Sequence, residues 1–431
     1  MVKYSWGNLD KNGPFHTIRC QNEDMRSKVI IQKQKEKPKF VSLFCGCGGF
    51  DVGFVQAGFQ CQAAFDIDPV AISVHCANLK SRAVVCDLSN GDALINPLKR
   101  TDVVLAGPPC QGFSTVGKRI LNDPRNHLLL RAGQIGLSLK PQVFVAENVT
   151  GAVAGEHRRY WESLKQMMRA GGYRTLDFCF DVRQVGLAQT RRRRVLLAWK
   201  GRKEITFGMH SDNNIHTVRD AIAGLTKSAP NHEVKALASH SRFGIIARKI
   251  RPGQKLCNVR GGASAVHTWD IPEVFGDTTQ AEKRVLEVLL RLRRRLRVRE
   301  HGDADPVPAR ALVGEIGGPV KKLLNSLIKK GYVRRVDGHY DLTNTFNGTF
   351  RRLRWDHPAP TVHTWFGNPR YFLHPEEHRG LTVREAARIQ GFPDSFVFLG
   401  REKDQYRLVG NAVPPPMGYC LSNIIKNTIL A

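Results

Sequence analysis

Acidic residues are scarce in this chain of 431 residues, in which 38 Asp and Glu stand against 66 Lys and Arg. The formal net charge is +28, and it predicts a polyanionic partner. Nucleic acid is the first candidate, because Lys and Arg bind phosphates, and an anionic membrane surface is the second. The sequence also lacks an apolar run of about 18 residues and a signal-peptide core, which weakens the membrane alternative.

Closely spaced cysteine pairs of the metal-binding kind are missing as well. Ten cysteines are scattered along the chain, and none forms a CxxC pair. Cys45 and Cys47 are two positions apart, which is not a usual zinc spacing. We therefore expect reduced thiols, a cytosolic or nuclear protein and no structural metal.

Strand and helix patterns alternate from Phe40 to about residue 200. Short apolar runs that predict strands are FVSLF, CQAAFDID, AVVCDL, DVVLAGPP and PQVFVAENV. Helical stretches such as PVAISVHCANL and HLLLRAGQIGLSL lie between them. This alternation predicts an α/β fold with a doubly wound, mostly parallel sheet. In such sheets, ligands bind outside the carboxyl ends of the strands.

Composition divides the chain into four segments. Residues 1–38 are polar and mixed in charge, which predicts a poorly ordered extension. The α/β pattern occupies residues 39–205 and is lost in residues 206–375, which are rich in Arg, Lys and Gly. Residues 376–431 return to helical patterns and are expected to rejoin the first domain.

Residues 279–345 have the pattern of a small module. A long basic helix is followed by two helices joined through Gly317 and Gly318, and Asp337-Gly338 predicts a hairpin. Helix, helix–turn–helix and hairpin is the order of a winged helix. The basic balance favours contact with DNA or RNA over a purely structural insert.

The first three predicted strands end in residues suited to a nucleoside. The turn FCGCGGF follows the first strand, and its glycines allow close approach of the backbone to a ligand. Its spacing is not GxGxxG, so a dinucleotide is not the expected ligand. Asp66 can bind ribose hydroxyls, and Asp87 can accept a hydrogen bond from an adenine amino group. Helix capping is the alternative for either carboxylate.

Three further groups suit covalent chemistry on a ring. The stretch AGPPCQGFS places Cys110 after two stiff prolines, whereas most free cysteines are buried and inert. Glu147 ends the fifth strand, where burial would let it protonate or hydrogen-bond a heterocycle nitrogen, unless it is only a strand-end acid that forms a cap. Arg191 and Arg193 would share one face of the next strand and bind a carboxylate or phosphate, unless this run is only a solvated charged surface.

Six motifs stand in one order along the chain: FCGCGGF, PPCQGFS, ENV, QTRRR, REAARIQGFP and GNAVPP. Over residues 40–200 and 380–420 they resemble the DNA (cytosine-5)-methyltransferase family of the bacterial, restriction-modification type. The resemblance implies a Rossmann-like methyltransferase fold. Residues 39–205 would then be the catalytic and cofactor-binding domain, and residues 206–375 the target-recognition domain.

The resemblance also implies a reaction, in which S-adenosylmethionine methylates carbon 5 of a cytosine flipped out of double-stranded DNA. Cys110 would attack carbon 6, and Glu147 would contact the ring nitrogen and the exocyclic amine. Arg193 would hold the flipped base, and Arg191 would orient the adduct region or a phosphate. The remaining implied site residues are Phe44, Gly46, Gly48, Asp66, Ile67, Asp87 and Asn411 for the cofactor, and Gln111 and Ser114 for DNA.

The partners implied are double-stranded DNA and, acting separately, a cognate restriction endonuclease. No metal is implied, and a monomer in the prokaryotic cytoplasm, beside the nucleoid, is expected. Two alternatives remain open: cytosine-5 methylation of a structured RNA such as tRNA, and a catalytically silent winged-helix regulator. The PCQGFS loop and the basic insert favour DNA, and the set of Cys110, Glu147 and Arg193 disfavours the silent regulator.

Overall fold

The structure is a computed structural model that describes residues 36–90, 98, 101–109, 123–205, 215–299 and 304–430. Nearly all of the predicted N-terminal extension lies outside the described residues. The same holds for Cys110, Gln111 and Ser114, so the roles implied for these three residues stay predictions.

Seven strands form the main sheet, in the order β3-β2-β1-β4-β5-β8-β6. The strands in chain order are β1 Lys39–Leu43, β2 Gln60–Asp66, β3 Ala83–Val85, β4 Val103–Ala106, β5 Val143–Val149, β6 Arg174–Asp181, β7 Gln189–Thr190, β8 Arg192–Trp199, β9 Lys255–Leu256, β10 Ala265–Val266, β11 Val333–Val336, β12 His339–Leu342, β13 Arg351–Arg352, β14 Ala359–Pro360 and β15 Phe372–Leu373. Within the main sheet, β8 runs in the direction opposite to that of the other six strands. The predicted α/β fold with a mostly parallel sheet is confirmed.

The α-helices, numbered along the described residues, are α1 Gly49–Gln56, α2 Pro69–Asn78, α3 His127–Leu139, α4 Arg158–Ala170, α5 Val218–Ile222, α6 Arg242–Arg248, α7 Pro272–Phe275, α8 Gln280–Arg295, α9 Ala309–Ile316, α10 Val320–Lys330, α11 Val383–Ile389, α12 Glu402–Asn411 and α13 Pro415–Thr428. Helices α12 and α13 are separated because Pro414 lacks an amide hydrogen and cannot continue α12, whereas proline suits the first turn of α13.

Both faces of the main sheet are covered by helices. Val104 of β4 packs with α3 and α4, where Trp161 is fully buried, and the adjacent Leu105 packs with α1 and α13. This alternation follows from the two-residue period of a strand. Helices α1 and α13 approach with their backbones in contact, because a Cβ on Gly53 would lie 2.3 Å from the carbonyl oxygen of Pro415.

The sheet reverses its winding between β1 and β4, which are neighbours at its centre. The chain leaves β1 towards β2 on one side and leaves β4 towards β5 on the other. The amide of Gly107, just after β4, donates to the carbonyl of Leu43 at the end of β1 over 3.1 Å. Ligands bind at such switch points in open α/β sheets.

Residues 280–342 contain three helices and an antiparallel hairpin, α8, α9, α10 and β11–β12. Their apolar side chains share one core, which includes Leu289, Leu324 and Tyr340. The hairpin expected at Asp337-Gly338 is present, and both residues have positive φ, 49° and 77°. This pair of left-handed residues is typical of a tight two-residue turn.

By its contacts, Lys37–Ala431 forms one compact unit, so the predicted boundaries at residues 205 and 375 stay predictions. In the described ranges, no helix is long and apolar enough to cross a membrane. Among the same residues, no group of three or more His, Cys, Asp or Glu side chains is placed to hold a metal ion.

Candidate active site

The turn after β1 is left-handed at several positions. Gly46 and Gly48 have φ values of 55° and 91°, and Phe44 also has a positive φ, 55°. A Cβ on Gly48 would lie 2.7 Å from Cδ2 of His75 and 2.8 Å from Cδ1 of Leu79. Glycine is therefore required at position 48 both by its backbone and by the close approach of α2.

A buried polar network supports this turn from below. Asp51 of α1 accepts a hydrogen bond from Ser42 Oγ at 2.7 Å and bonds Nε2 of His75 at 2.8 Å. The side chains of Asp51 and His75 are fully buried. This network is not apparent from the sequence, because a lone acid inside the apolar stretch GFDVGF does not reveal its partner. The network joins β1, α1 and α2 beneath the turn.

The carboxylate of Asp66, at the end of β2, stabilises the same turn through hydrogen bonds to backbone amides. Its Oδ2 accepts from the amide of Gly46 at 2.8 Å, and its Oδ1 accepts from the amide of Asp68 at 2.9 Å. Burial raises the pKa of Asp66, and these two backbone hydrogen bonds oppose the rise. Asp68, whose carboxylate accepts from the amide of Val70, caps α2, so the capping alternative for Asp66 is wrong.

Two exposed side chains lie beside Asp66. Ile67 is 64% exposed, which is unusual for a large apolar residue next to a buried strand. Asp87 follows β3 and accepts from the amide of Ser89 at 2.9 Å, which lowers the pKa of Asp87. The ends of β2 and β3 are held together because the amide of Cys86 donates to the carbonyl of Asp66 at 2.8 Å.

The C-terminal part of the chain packs against the glycine turn. The thiol of Cys47 donates to the carbonyl of Leu408 at 3.7 Å, and a Cβ on Gly49 would lie 2.4 Å from the carbonyl oxygen of Val413. Asn411, the exposed last residue of α12, stands between Leu408 and Val413 in the sequence. The structure thus brings the residues expected at the cofactor to one edge of the sheet.

Glu147 and Arg193 form an ion pair at the end of β5. Val149 is opposite Arg193 in the antiparallel pair of β5 and β8, so the side chains of Glu147 and Arg193 share one face. Nε of Arg193 lies 2.9 Å from Oε1 of Glu147, and the two side chains are only 13% and 10% exposed. Burial raises the pKa of Glu147, although Arg193 and Arg191 act in the opposite direction.

The end of β5 also contacts the chain that leads to Cys110. The side-chain amide of Asn148 donates to the carbonyl of Pro108 at 3.3 Å. Pro108 precedes Cys110 by two positions in the sequence. The motifs ENV and PPCQGFS are therefore in contact through their described residues.

Arg191 occupies a different environment from the one expected. Its guanidinium is buried and donates to the carbonyls of Val362 at 3.0 Å, Gly410 at 3.3 Å and Ala412 at 2.9 Å. The expectation that it shares a ligand-facing surface with Arg193 is wrong, because Arg191 lies between β7 and β8 and not within a strand. Arg191 joins the segment before β8 to the C-terminal segment.

Replacing Arg191 by alanine is expected to lower the free energy of unfolding by about 3 kcal/mol or more, because buried carbonyls lose their donor. Arg192→Ala is the matched control, since the side chain of Arg192 is 65% exposed and pairs with Asp181. Its expected cost is about 0–1 kcal/mol. Urea unfolding followed by tryptophan fluorescence measures both, and equal midpoints would contradict the structural role of Arg191.

Two glutamines complete this junction. The side-chain amide of Gln189 donates to the carbonyl of Ile389 at 3.0 Å and to Oε1 of Gln390 at 2.6 Å. Gln390 in turn donates to the carbonyl of Ala412 at 2.8 Å. The motifs QTRRR, REAARIQGFP and GNAVPP thus meet through buried hydrogen bonds.

A cleft of about 1550 Å³ opens beside the ion pair. Its walls include Thr190 and Arg193 on the sheet side and Trp365, Tyr371 and Asn411 on the other. Trp365 is 59% exposed and Tyr371 40% exposed, with ring centroids 6.5 Å apart. These two aromatics could not be recognised from the sequence, because a buried and an exposed aromatic look alike in a stretch without clear periodicity.

Comparisons with known proteins identify the family of the chain. A family model for C-5 cytosine-specific DNA methylases matches residues 38–427. The Type II methyltransferase M.XorII of Xanthomonas oryzae is 30% identical over 407 residues, which cover 91% of this chain and 85% of that protein. The Type II methyltransferase M.AgeI of Thalassovita gelatinovora is 28% identical over 452 residues, covering 91% of this chain and 100% of that protein.

Solved structures share the fold. A putative DNA modification methyltransferase encoded within an E. coli prophage superposes with a TM-score of 0.57 at 21% identity, covering 92% of this chain and 100% of that one. Because the family model spans nearly the whole chain, its match decides the family. The chain belongs to the C-5 cytosine-specific DNA methylases and is a DNA (cytosine-5)-methyltransferase.

Proposed function

We propose that the protein methylates carbon 5 of a flipped-out cytosine in a specific double-stranded DNA sequence, through a covalent adduct with Cys110. The observation that carries this proposal is the buried pair of Glu147 and Arg193, which lies beside the chain leading to Cys110. Several relatives are named Type II methyltransferases, so we further propose a modification role beside a cognate restriction endonuclease.

A neutral cytosine needs activation before carbon 5 can accept a methyl group. Addition of the Cys110 thiolate forms a bond from sulfur to carbon 6 and moves an electron pair towards carbon 5. Glu147, protonated more readily because burial raises its pKa, can donate to the ring nitrogen and stabilise the negative charge. Once carbon 5 is methylated, loss of its proton and elimination of the thiolate restore the ring. The base must leave the duplex for this chemistry to reach it.

The carboxyl edge of β1, β2 and β3 fits S-adenosylmethionine, which supplies the methyl group when bound. The glycine turn leaves room for a ligand, and the Asp66 and Asp87 carboxylates can accept from ribose hydroxyls and an adenine amino group. Ile67 offers an exposed apolar surface for a purine ring. The two carboxylates would repel a phosphate, which agrees with a nucleoside ligand that carries none. We propose that no metal is needed.

Replacing Gly48 by alanine is expected to weaken binding of S-adenosylmethionine by about 10-fold or more. The φ of 91° and the contact with His75 strain any side chain at this position, at a cost of about 1–3 kcal/mol. Gly172→Ala is the control, because Gly172 also has a positive φ, 81°, but a Cβ there would meet nothing within 4 Å. Isothermal titration calorimetry compares the two, and equal affinities would contradict the assignment of this turn.

Transfer of labelled methyl groups to duplex DNA and to tRNA tests the substrate. Labelled DNA supports the proposal, labelling of tRNA alone favours the RNA alternative, and labelling of neither favours the silent regulator. Bisulfite sequencing of DNA from expressing cells then gives the methylated position and the recognition sequence.

We propose that residues 206–375 form the target-recognition domain and that its winged-helix-like insert contacts DNA. We also propose that the enzyme acts as a monomer in the cytoplasm, where bacterial DNA lies.

A further inference from the structure

The insert carries two basic surfaces that look alike in the sequence. One is α8, which contains the run RLRRR, and the other is α10, with the sequence VKKLLNSLIKK. The structure separates them by what their charged groups contact.

The arginines of α8 are largely engaged within the protein. Arg291 and Arg295 both bind the carboxylate of Glu315 on α9, and the buried Arg293 binds Asp341 on β12. These pairs hold α8 against the rest of the insert. An arginine that already binds a carboxylate has less to gain from binding a phosphate.

The exposed lysines of helix α10, in contrast, are not engaged in ion pairs with described residues. Its buried face, with Val320, Leu324 and Leu327, packs into the core of the insert. Lys321, Lys322, Asn325 and Lys329 are exposed, and the helix contains no acidic residue. Among the residues that the structure describes, no ion pair involves these three lysines.

The hairpin extends the same surface. Arg335 of β11 lies over the ring of Tyr340 at 5.6 Å, and its Nη2 approaches Oδ1 of Asn325 at 3.5 Å. No ion pair with Arg335 occurs in the described part of the chain. We define the α10 face as Lys321, Lys322, Asn325, Lys329 and Arg335.

The position of α10 in the chain suits contact with a duplex. It follows α9 after a three-residue turn, Gly317-Gly318-Pro319, and is thus the second helix of a helix–turn–helix. In this motif the second helix enters the major groove with its N-terminal residues leading. Lys321 and Lys322 stand in the first turn of α10, where the helix dipole adds to their attraction for phosphate.

We propose that the α10 face is a second DNA-binding surface, whose cations contact phosphates of the duplex outside the segment held in the catalytic cleft. The proposal rests on the proposed function in taking double-stranded DNA as the substrate. The described residues that line the cleft include none from 280–342, so the α10 face is not part of the cleft wall. The surplus of cations on the α10 face supplies the charge complementarity.

The test compares two double variants that each remove two adjacent cations. Lys321→Ala/Lys322→Ala alters the α10 face, and Arg202→Ala/Lys203→Ala alters the exposed turn after β8, at the edge of the sheet away from the cleft. Alanine suits an exposed helix position, so the first variant is expected to fold. Fluorescence anisotropy gives the Kd for a duplex that extends well beyond the recognition sequence, at several salt concentrations.

We expect Lys321→Ala/Lys322→Ala to raise this Kd by about 10-fold and to reduce the slope of log Kd against log salt by about 2. Methyl transfer at saturating DNA and the affinity for S-adenosylmethionine should match the wild type. A Kd and slope equal to those of Arg202→Ala/Lys203→Ala would overturn the proposal. Wild-type methyl transfer is measured first, and its absence on DNA would refute the proposed function. The comparison of Kd values tests in either case whether the α10 face binds DNA.

Discussion

Cys110→Ala is expected to lower methyl transfer by about 10⁴-fold or more and to leave the affinity for duplex DNA nearly unchanged. The reason is that the proposed mechanism uses the thiol to form the bond that activates the ring, and a methyl side chain cannot replace it. Binding depends on phosphate contacts elsewhere on a chain of net charge +28. Transfer of labelled methyl groups and anisotropy binding measure the two effects.

Cys179→Ala provides the control for loss of a thiol, since Cys179 is an exposed cysteine on β6. A duplex with fluorine in place of the hydrogen on carbon 5 adds a second measurement. Fluorine cannot leave as the proton does, so the adduct should persist on a denaturing gel with Cys179→Ala and not with Cys110→Ala. Turnover of Cys110→Ala near the wild-type rate would refute the nucleophile.

Glu147→Gln is expected to slow methyl transfer by about 10²–10⁴-fold, the usual contribution of a positioned acid. The amide keeps the shape of the side chain but cannot transfer a proton, and it leaves Arg193 without a charged partner. Asp177→Asn is the matched control. Asp177 binds Arg194 at 2.5 Å, but Arg194 is next to Arg193 on β8 and its side chain points to the opposite face.

The pH profile separates an acid from a merely structural carboxylate. Burial raises the pKa of Glu147, so its protonated form persists to higher pH than in an ordinary glutamate. Methyl transfer by the wild type and by Asp177→Asn should therefore fall as pH rises through this raised pKa, and Glu147→Gln should lack that fall. If methyl transfer by Glu147→Gln still fell with pH as much as that of the wild type, the proton donor would be another group.

The sequence predicted those strands and helices whose type follows from the pattern of apolar residues alone. The runs that became β1, β4 and β5 are almost completely buried, and such runs are distinctive in parallel sheets. Helix α3 has the predicted limits, from His127 to Leu139. The carboxyl ends of these strands follow from the fold, which is why the glycine turn, Asp66 and Glu147 could be placed near one another.

Pattern could not predict contacts between distant segments. Arg191 was expected to face a ligand because a continuous strand would align it with Arg193, but β8 begins only at Arg192. The partners of Arg191 are the carbonyls of Val362, Gly410 and Ala412, which are far from it in the chain, and local sequence carries no information about them. Likewise, the charge run in α8 reads as a nucleic-acid contact until Glu315 and Asp341 are seen opposite it.

The packing of α13 on α1 has a consequence for how the chain is made. Cys47 and its acceptor Leu408 are 361 positions apart, so the glycine turn is completed only when nearly the whole chain has been synthesised. Until then, Phe50 and Phe54 of α1 have no α13 to cover them, and an apolar surface stays open to water. A growing chain is thus most exposed to aggregation while residues 206–375 are being translated, and the edge at the ends of β1, β2 and β3 is completed only afterwards.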